Sequence, residues 1–497
     1  MERREFIKSL AAGASILMLP SCLSLFNRKL KPNIIFILVD DLGWRDLSCY
    51  GSEFYETPNI DKLAKQGMIF TNAYASCPVC SPTRACILTG KYPARLGVTD
   101  WIDELGTTHP LKGKLIDAPY IKHLPGTEKT IASAMSENGY STWHVGKWHL
   151  GSEGSLPEDF GFEVNIGGCG WGSPQKGGYF SPWTLPSLKD KDVPPGTYLT
   201  DYLTDKAIEL IDKKDERPFF LNMWYYSVHK PVQAKTEKIK KYEAKMKRMG
   251  LDKINPVQEG EISPTYSNKK KYLKRRIIQS DPAYAAMIES LDENIGRLLQ
   301  KVEDINESEN TVVIFTSDNG GLSTAKSEPP TSNKPLNEGK GWAYEGGTRE
   351  PLFIKWPGKI KAGTKCDVPV TSTDFFPTIL NVAGLKEIPE QHVDGENLLP
   401  LLKGGKHLDR EAIFWHYPHY GNQGGTPASA VRKGDYKLIE FYEDGRLELY
   451  NLKEDISESI NLAAIKKEKT RELHNLLNSW KVSIEAKLPR LNPDYKK

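Results

Sequence analysis

Two pairs of side chains that offer oxygen ligands follow apolar runs of the sequence. Asp40 and Asp41 come directly after the run NIIFILV, and Asp318 and Asn319 come just after the run TVVIFT. Carboxylates at the carboxyl end of a buried strand lie where open α/β sheets place their sites, and adjacent acids repel each other unless a cation or hydrogen bonds compensate. Oxygen donors suit Ca²⁺ or Mg²⁺ better than zinc. A helix cap or an acidic loop would explain either pair alone, but not why both pairs follow apolar runs.

Basic and imidazole side chains stand in similar positions. Lys147 and His149 lie just past a third apolar run, and alternation in an extended segment would put both on one face. His229 follows a fourth run, and Lys340 precedes the charged loop YEGGTREP, whose charges have no evident structural reason. A lysine offers a compact cation for an anionic oxygen, and a histidine can donate a hydrogen bond or relay a proton. Alone, a histidine at such a position is more typical of a structural residue.

The segment CSPTRACILTG begins at Cys80 and places Pro82 and Arg84 at fixed spacing after that cysteine. Taken alone, it is equally typical of a buried structural cysteine in a loop bent by proline. Cys77 and Cys80 also match a redox Cys-x-x-Cys pattern, which accounts for fewer of the neighbouring residues. The interpretation of this segment therefore depends on the other polar clusters and their order.

The clusters follow one another in the order of a known family. The sequence resembles the type I, formylglycine-dependent (arylsulfatase-like) sulfatases over about residues 31–385, with weaker agreement to the end. The matching motifs, in chain order, are Asp-Asp, Cys-x-Pro-x-Arg, Gly-Lys-x-His-Leu-Gly, His-x-Pro, Ser-Asp-Asn-Gly, Gly-Lys-Gly and Tyr-Glu-Gly-Gly. This agreement in order and spacing is specific for the family and much less specific for the substrate.

The resemblance implies a metal centre and a modified nucleophile. Ca²⁺, with Mg²⁺ as the alternative, would be held by Asp40, Asp41, Asp318 and Asn319. Cys80 would be oxidised to Cα-formylglycine (3-oxoalanine) by a formylglycine-generating or radical maturation enzyme, and would give an oxygen to the metal. One hydroxyl of the aldehyde hydrate would attack sulfur, and the second would allow sulfate to be released.

The same resemblance assigns roles to the basic residues. Arg84 would stabilise the aldehyde hydrate and the charge of the metal site, and Lys147 and Lys340 would neutralise sulfate oxygens. His149 would hydrogen-bond the second hydroxyl of the hydrate, and His229 would serve the leaving oxygen. One departure is the run NIGGCGWG, where many relatives have a serine or another polar contact, so no residue is assigned to that role.

The implied reaction is hydrolysis of sulfate monoesters on a sulfated carbohydrate, with a galactose-type unit as the expected substrate. Asp100, Trp101 and His416 stand in loops rich in Trp, His and Tyr and are the candidate substrate contacts, because aromatic faces stack on sugars and polar groups grip hydroxyls. Ordinary packing and loop polarity are the alternative for these three residues. Two other functions stay open: a phosphonate monoester or phosphodiester hydrolase of the same superfamily, and a non-catalytic glycan-binding protein with an unconverted Cys80.

The elements that position these residues follow from hydrophobic patterning. Continuously apolar runs predict buried strands and apolar residues at helical spacing predict covering helices, so the expected fold class is α/β, with a large, mostly parallel mixed sheet flanked by helices. The resemblance adds that this sheet is alkaline-phosphatase-like. The predicted strands are 33–39, 141–145, 219–226 and 311–316, and the predicted helices are 59–66, 130–138, 202–213 and 284–303.

The pattern changes near residue 390, where short strands follow one another without intervening helices. They predict a smaller antiparallel sheet with one helix. The expected strands are 412–417, 430–432, 436–442 and 447–451, and the expected helix is 468–482. Because no low-complexity linker separates the two parts, we expect a catalytic domain over 31–385 packed tightly against a C-terminal domain over 390–497.

Residues 1–22 are interpreted as an export signal. A twin-arginine pattern at Arg3 and Arg4 precedes an apolar run far shorter than the roughly 20 residues that a membrane-spanning helix needs. The run ends in Leu-Pro-Ser-Cys, which resembles a bacterial lipobox with Cys22 as the lipidated residue; a plain cleaved signal is the alternative. We therefore expect an exported protein of a Gram-negative bacterium, periplasmic or tethered to the outer membrane, that meets a membrane only through an N-terminal lipid.

Composition excludes some classes of partner and scaffold. The formal net charge is +3, with 67 Lys and Arg against 64 Asp and Glu, which argues against nucleic acid as the main partner. Two lysine-rich stretches, 235–248 and 269–276, are expected to be solvated helix faces in an insertion, with a guide for an anionic glycan as the alternative. Seven cysteines spread irregularly over 497 residues do not form a disulfide scaffold.

Overall fold

The computed structural model describes residues 31–104, 106, 108, 111–189, 192–265, 271–389, 391 and 393–495. The predicted export signal, residues 1–22 with Arg3, Arg4 and Cys22, therefore lies outside the described residues. Within the described ranges, no helix is both long and apolar enough to cross a membrane.

A nine-stranded mixed sheet forms the centre of the molecule. Its strands, numbered in chain order, follow one another across the sheet as β12 (Thr364–Cys366), β2 (Met68–Tyr74), β11 (Arg349–Lys355), β9 (Thr311–Ser317), β1 (Asn33–Val39), β6 (Phe219–Trp224), β4 (Ser141–Gly146) and β5 (Val164–Ile166), with β13 (Val370–Thr371) also paired to β2. The pairs that β1 forms with β6 and β9, and β4 with β5 and β6, are parallel, whereas β11 is antiparallel to β2 and β9. The predicted α/β fold with a mostly parallel mixed sheet is confirmed.

The four strands predicted from continuous apolar runs are all in this sheet, with ends that differ by two residues at most. In β1, Ile35 and Ile37 enter the hydrophobic core on one face of the sheet, while Ile34 and Phe36 enter the core on the other. Since both faces are covered, neither alternate set of side chains can be polar, which is why these strands read as unbroken apolar runs.

Helices cover both faces of the sheet. On one face lie Pro58–Gln66, Leu199–Asp212, Thr236–Arg248 and Pro282–Asp304, and on the other lie Cys80–Thr89, Pro93–Leu96, Ile131–Glu137, Phe375–Val382 and Leu399–Leu402. The four predicted helices are confirmed with shifts of three residues or fewer at their ends. The lysine-rich helix Thr236–Arg248 is also as expected, since 12 of its 13 residues are at least partly exposed.

A second, antiparallel sheet follows near the end of the chain. Its strands, in sheet order, are β14 (Ile413–Tyr417), β15 (Ala428–Lys433), β16 (Tyr436–Phe441) and β17 (Leu447–Asn451). The helix Lys467–Ser483 packs Leu473 and Leu477 against Val431 and Leu438 of this sheet. The predicted small antiparallel sheet with a helix is confirmed, whereas the domain limits 31–385 and 390–497 stay a prediction.

A three-stranded sheet corrects one expectation. It is formed by β7 (Val257–Ile262), β8 (Tyr272–Arg276) and β10 (Thr324–Ala325), so the stretch 269–276 is not a helix face in its described part. The segment alternates as a strand does, with Tyr272 and Lys274 exposed and Leu273 buried. Its high lysine content obscured this alternation in the sequence. A two-stranded sheet pairs β18 (Arg490–Leu491) with β3 (Leu115–Ile116), and Glu345–Thr348 forms one turn of α-helix.

Candidate active site

The carboxyl ends of neighbouring parallel strands bring the two oxygen-rich pairs together. β1 and β9 are paired in register up to Val39 and Ser317, so Asp40, Asp41 and Asp318 leave the sheet side by side. The Asp41 backbone N–H donates to Asp318 Oδ1 at 3.2 Å, and Asn319 Nδ2 donates to Asp41 Oδ1 at 2.8 Å. The predicted convergence of these four residues is therefore present in the fold.

The donor set at this edge fits a hard cation. Asp40 Oδ1 and Asn319 Oδ1 are buried and accept no hydrogen bond from the described residues. One ligand atom each from Asp40, Cys80 and Asp318 lies within 4.8 Å of the others. Burial raises the pKa of Asp40 although Lys147 is next to it, as expected for a carboxylate that lacks full compensation. Buried oxygens with unused lone pairs are what Ca²⁺ or Mg²⁺ would satisfy.

Three cations surround the carboxylates. Arg84 donates through Nε to Asp318 Oδ2 at 2.9 Å, and its guanidinium stacks on Trp224. Lys147 Nζ lies 2.7 Å from Asp40 Oδ2, and Lys340 Nζ lies 2.7 Å from Asp41 Oδ1. Burial acts to raise the pKa of Asp41, but the Lys340 ammonium together with His229 and Lys147 holds this pKa below its ordinary value. The four oxygen-bearing residues and the three cations thus form one buried charge cluster.

Cys80 opens the helix Cys80–Thr89 and lies at the edge of this cluster. Val79 is the extended residue before the helix, and Gly90 ends it in the left-handed conformation with φ of 72°. All ten helix residues are buried, which anchors Cys80. Ser81 Oγ also accepts the Ile102 backbone N–H at 3.0 Å, so the helix start is tied to the segment that follows Trp101. Cys77 and Cys80 are both free thiols.

His149 faces Cys80 with a defined nitrogen. Nε2 lies 2.9 Å from the Ile102 carbonyl oxygen, which can only accept, so Nε2 carries the proton. Nδ1 then presents a lone pair 3.2 Å from Cys80 Sγ. Burial, together with Lys147, lowers the pKa of His149 far below its ordinary value. The side chain is thus an acceptor for a proton from residue 80.

The glycine-rich run NIGGCGWG, residues 165–172, supports His149. The His149 backbone N–H donates to the Cys169 carbonyl at 3.0 Å. A Cβ at Gly172 would lie 2.5 Å from His149 Cε1, so only glycine lets this segment cover the ring. His149 itself has φ of 60°, a strained conformation for a residue with a side chain. The run NIGGCGWG, which departs from the pattern of many relatives, therefore packs against the His149 imidazole.

His229 lies on the opposite side of the cluster. Its Nε2 is 3.6 Å from Asp41 Oδ2, and its Nδ1 is 2.8 Å from the Lys230 carbonyl, which fixes the proton on Nδ1. Burial, followed by the Lys340 charge, lowers the pKa of His229 to about 3. Lys340 and His229 both face the space above Cys80.

That space is a cavity of about 300 Å³. The lining residues are Cys80, Trp101, Ile102, Asp103, Glu104, Thr108, His149, Trp171, Gly172, Ser173, Gln175, His229, Lys340, Asn422 and Gln423. Cys80, His149, His229 and Lys340 occupy one end, and two tryptophans, two acids and several amides form the rest. The cavity therefore joins a charged, chemically equipped end to walls that suit a polar organic molecule with apolar faces.

Of the three predicted substrate contacts, the structure brings Trp101 to the cavity and leaves the other two outside its lining. Asp100 is fully buried and accepts a hydrogen bond from Tyr417 at 3.0 Å. His416 is 3% exposed, and its nitrogens lie 2.7 Å from Ser429 Oγ and 2.9 Å from the Lys487 carbonyl. The polar groups of Asp100 and His416 thus serve contacts within the protein, because both side chains point into packed structure.

Several lining residues were missed from the sequence. Glu104 follows Trp101 closely, and Trp171 lies in the glycine-rich run beside Gly172. Asn422 and Gln423 come from the loop between β14 and β15 and reach the cavity because Gly341 and Gly425 allow close backbone contact beside Lys340. Two amides between glycines, in the run GNQGG, were the available signal for this loop.

Comparison with known proteins identifies the family. The family model described as Sulfatase matches residues 32–385, which is more than half of the chain. The chain belongs to the sulfatase family. A second model, described as N-sulphoglucosamine sulphohydrolase, C-terminal, matches residues 338–483 of this sulfatase. The resemblance seen in the motifs is confirmed.

Individual relatives agree with this assignment. A sulfatase of Formosa agariphila is 31% identical over 563 residues, covering 98% of this chain and 95% of the relative. The N-acetylgalactosamine-6-sulfatase of Homo sapiens is 30% identical over 406 residues, covering 77% of this chain and 68% of the relative. The crystal structure of Ps i-CgsB in complex with k-i-k-neocarrahexaose has a TM-score of 0.71 at 29% identity, covering 90% of this chain and 92% of that chain. This sulfatase is therefore a sulfuric ester hydrolase with an alkaline-phosphatase-like fold.

Proposed function

We propose that this sulfatase removes sulfate from a sulfated carbohydrate with a formylglycine nucleophile formed from Cys80, assisted by Ca²⁺ or Mg²⁺. The single observation that carries this proposal is the position of Cys80 Sγ. It lies 3.2 Å from His149 Nδ1 and within 4.8 Å of one carboxylate oxygen each of Asp40 and Asp318. A proton acceptor and a cation site thus meet at one side chain.

The proposed metal ligands are Asp40, Asp41, Asp318 and Asn319. Bound there, the cation would supply positive charge for the sulfate group and for the nucleophile. A hydrated formylglycine at position 80 would supply a nucleophilic hydroxyl and a second hydroxyl for the release of sulfate. Everything else in the reaction is assigned to side chains of this chain.

Arg84, Lys147 and Lys340 hold the charges in place. Arg84 fixes the Asp318 carboxylate with a 2.9 Å hydrogen bond, and Lys147 fixes Asp40 at 2.7 Å. Their burial makes each of these interactions stronger than it would be in water. Lys147 and Lys340 would each offer an ammonium proton to a sulfate oxygen, so that the charge on the transferring group meets preorganised donors.

Proton movement is assigned to the two histidines and Lys340. His149 Nδ1 is placed to accept a proton from residue 80, because its Nε2 proton is held by the Ile102 carbonyl. Lys340 and His229 line the cavity side, where the leaving oxygen of the sugar would lie. The Lys340 ammonium would donate the proton to that oxygen, since the proton on His229 Nδ1 is held by the Lys230 carbonyl. A proton delivered there lowers the barrier for departure of a poor alkoxide leaving group.

The substrate class rests on the cavity and on relatives. Trp101 and Trp171 offer aromatic faces, and Gln175, Asn422 and Gln423 offer amides to hydroxyl groups. One relative is named for N-acetylgalactosamine 6-sulfate hydrolysis, and one structural neighbour holds a neocarrahexaose. We infer a galactose-type unit. The proposed partners are this glycan and a formylglycine-generating or radical maturation enzyme, and the proposed location is outside the cytoplasm, reached by the export signal of residues 1–22.

The experiment that tests the proposal is mass spectrometry of the peptide covering residues 72–95. The protein is expressed with and without a formylglycine-generating enzyme, and activity is measured on an aryl sulfate, an aryl phosphonate monoester and a panel of sulfated galactoses. We expect the aldehyde mass at position 80 only with the maturation enzyme, and sulfate release in proportion to conversion.

Two variants complete this experiment. Cys80→Ala removes the modified residue and should abolish sulfate release, while Cys49→Ser changes a half-buried thiol outside the cavity and should leave release unchanged. A plain thiol at position 80 in the presence of an active maturation enzyme would contradict the mechanism. Faster turnover of the phosphonate ester than of every sulfate ester would contradict the substrate class.

A further inference from the structure

We propose that Glu104 and Asp103 make the cavity select a sugar unit whose only anionic group is the sulfate to be removed. This inference rests on the proposed function, because it concerns the substrate of the same site. Hydroxyl, N-acetyl or amine substituents would be accepted next to the two carboxylates. A second sulfate or a carboxylate on the same ring would be rejected.

The charges along the cavity wall change sign from one end to the other. At the inner end, Lys340 lines the cavity and Lys147 lies behind it, paired with Asp40. Away from that end, the ionisable groups among the described lining residues are Glu104 and Asp103, and the other polar ones are neutral. A sulfate ester placed at the inner end therefore directs the rest of its ring toward a negatively charged wall.

Glu104 is the more accessible of the two acids. Its side chain is exposed, and a Cβ built at Gly170 would lie 2.9 Å from Glu104 Oε2, so the carboxylate sits directly over the segment that also carries Trp171 and Ser173. Among the described residues, this carboxylate forms no hydrogen bond or ion pair with the protein. Its lone pairs are available to hydroxyl or amine hydrogens of a ligand.

Asp103 is a second acid in the lining, next to Glu104 in the sequence. It is 5% exposed, lines the same cavity and accepts the Thr108 backbone N–H. Both acids follow Ile102, whose carbonyl holds His149 Nε2 at 2.9 Å. The short connection fixes the two carboxylates close to the reacting end, so they act on the unit that bears the scissile sulfate rather than on distant units of a polymer.

The expected discrimination follows from electrostatics. Two like unit charges about 12 Å apart near a protein surface change a binding constant by about ten-fold, and salt reduces this effect. A carboxylate that accepts sugar hydroxyls contributes favourably to binding of a neutral ring face. A singly sulfated unit should therefore be preferred over its doubly sulfated counterpart by about ten-fold at low ionic strength, and by less in about 1 M salt.

The test measures binding and turnover with matched ligands. A panel of galactose monosulfates identifies the accepted ester, which is then compared with galactose disulfates that keep this ester and add another. Affinities are measured by calorimetry on Cys80→Ala protein, and kcat/KM is measured on the converted enzyme. The variants are Glu104→Gln, which removes the charge from the cavity wall, and Glu153→Gln, which removes a charge from an exposed residue outside the lining.

We expect the preference for the monosulfate to shrink several-fold in Glu104→Gln and to stay at the wild-type value in Glu153→Gln. Equal affinity of the Cys80→Ala protein for monosulfate and disulfate, or a preference that Glu104→Gln does not change, would overturn the inference. Turnover without charge discrimination would overturn this inference and leave the proposed function intact. Charge-selective binding without any turnover would contradict the proposed function and leave this inference intact.

Discussion

Three neighbouring groups fix the orientation of His149 and the nitrogen that carries its proton. The Ile102 carbonyl oxygen accepts a hydrogen bond from Nε2 at 2.9 Å, the Cys169 carbonyl accepts one from the backbone N–H at 3.0 Å, and Gly172 covers the ring. With Nε2 committed, Nδ1 is left to accept a proton from residue 80. A histidine that could rotate or exchange tautomers would lose this direction.

We predict that His149→Ala lowers kcat by about 10²–10⁴-fold with a small change in KM, because a positioned general base contributes about that much. Steady-state kinetics on an aryl sulfate measures the effect. Mass spectrometry of the residue 80 peptide must show the same conversion as in the wild type, so that the loss belongs to the chemical step. His407→Ala, at an exposed position, is the control and should not change kcat. An unchanged kcat in His149→Ala would remove this residue from the mechanism.

We predict that Gly172→Ala lowers kcat/KM by about ten-fold or more, because a small displacement of a catalytic group is costly. Its new Cβ would lie 2.5 Å from His149 Cε1, and the ring, bonded through both nitrogens, must move away from residue 80. Gly126→Ala is the matched control, since its Cβ would meet no atom within 4 Å. Wild-type kinetics in both variants would show that a glycine at position 172 is not needed to keep His149 in place.

At the scale of elements, a buried network ties the small sheet to the turn after Lys340. Lys437 in β16 lies 2.9 Å from Glu345 Oε1 and 3.1 Å from Glu458 Oε1, and all three side chains are fully inaccessible. Arg349 holds the other Glu345 oxygen at 2.6 Å and donates to the Tyr74 hydroxyl at 2.9 Å. Glu345 and Arg349 of the loop YEGGTREP, whose charges had no evident reason in the sequence, therefore join two sheets.

We predict that Lys437→Met lowers the free energy of unfolding by about 3–5 kcal/mol, because it leaves the buried Glu458 without its cation and removes one of the two cations that pair with Glu345. Denaturant titration followed by tryptophan fluorescence measures the change. Lys433→Met is the control in a neighbouring strand. Lys433 pairs with Glu411 and Glu472 at the surface, where such pairs contribute about 0–1 kcal/mol. Equal losses in the two variants would show that the buried network has no special weight.

The elements that carry the reacting groups were the predictable part of this molecule. β1 was predicted with its observed limits, because a strand buried on both faces must be apolar throughout. From that pattern it followed that Asp40, Asp41 and Asp318 would meet at one edge of the sheet. The order of the motifs then assigned the chain to its family, which the family model confirms.

The walls of the cavity were not predictable in the same way. They come from three loops that are distant in the chain, represented by Glu104, Trp171 and Gln423. Their meeting depends on close backbone contacts, such as the one between Gly425 and the Gly341 carbonyl, that have no periodic signature in the sequence. Asp100 and His416 were expected to contact the sugar because their loops are rich in Trp, His and Tyr. Their side chains are instead buried in the protein.

At the scale of the whole molecule, the buried acids couple cation binding to stability. Three carboxylates, Asp40, Asp41 and Asp318, are almost inaccessible to solvent. We predict that chelation lowers Tm and that Ca²⁺ restores it. A ligand at 100 times its Kd stabilises by about 2.7 kcal/mol, which corresponds to about 3 °C for a chain of this size. Scanning calorimetry at constant ionic strength measures the shift, and Asp318→Asn should reduce it. A Tm independent of Ca²⁺ would contradict the proposed metal site.

The two sheets share side chains in a way that bears on how the chain unfolds. Tyr74 of β2 is part of the same hydrophobic cluster as Trp415 and Ile439 of the small sheet. The Trp415 indole N–H also donates to the Ala75 carbonyl at 2.8 Å. Each sheet thus completes the core of the other, and Gln423 of the small sheet's first loop completes the cavity.

We therefore predict one cooperative thermal transition for the full chain, and failure of a chain ending at residue 389 to fold, because its shared core would be open to water. Calorimetry on the full chain and circular dichroism on the shortened one measure these outcomes. Co-expression with a second chain starting at residue 390 is the control, since it restores the missing core without a covalent link. Two separate transitions, or a stable shortened chain, would mean that the predicted domains 31–385 and 390–497 fold independently. The buried Lys437 network would then connect two independently folded domains and would not be part of one common core.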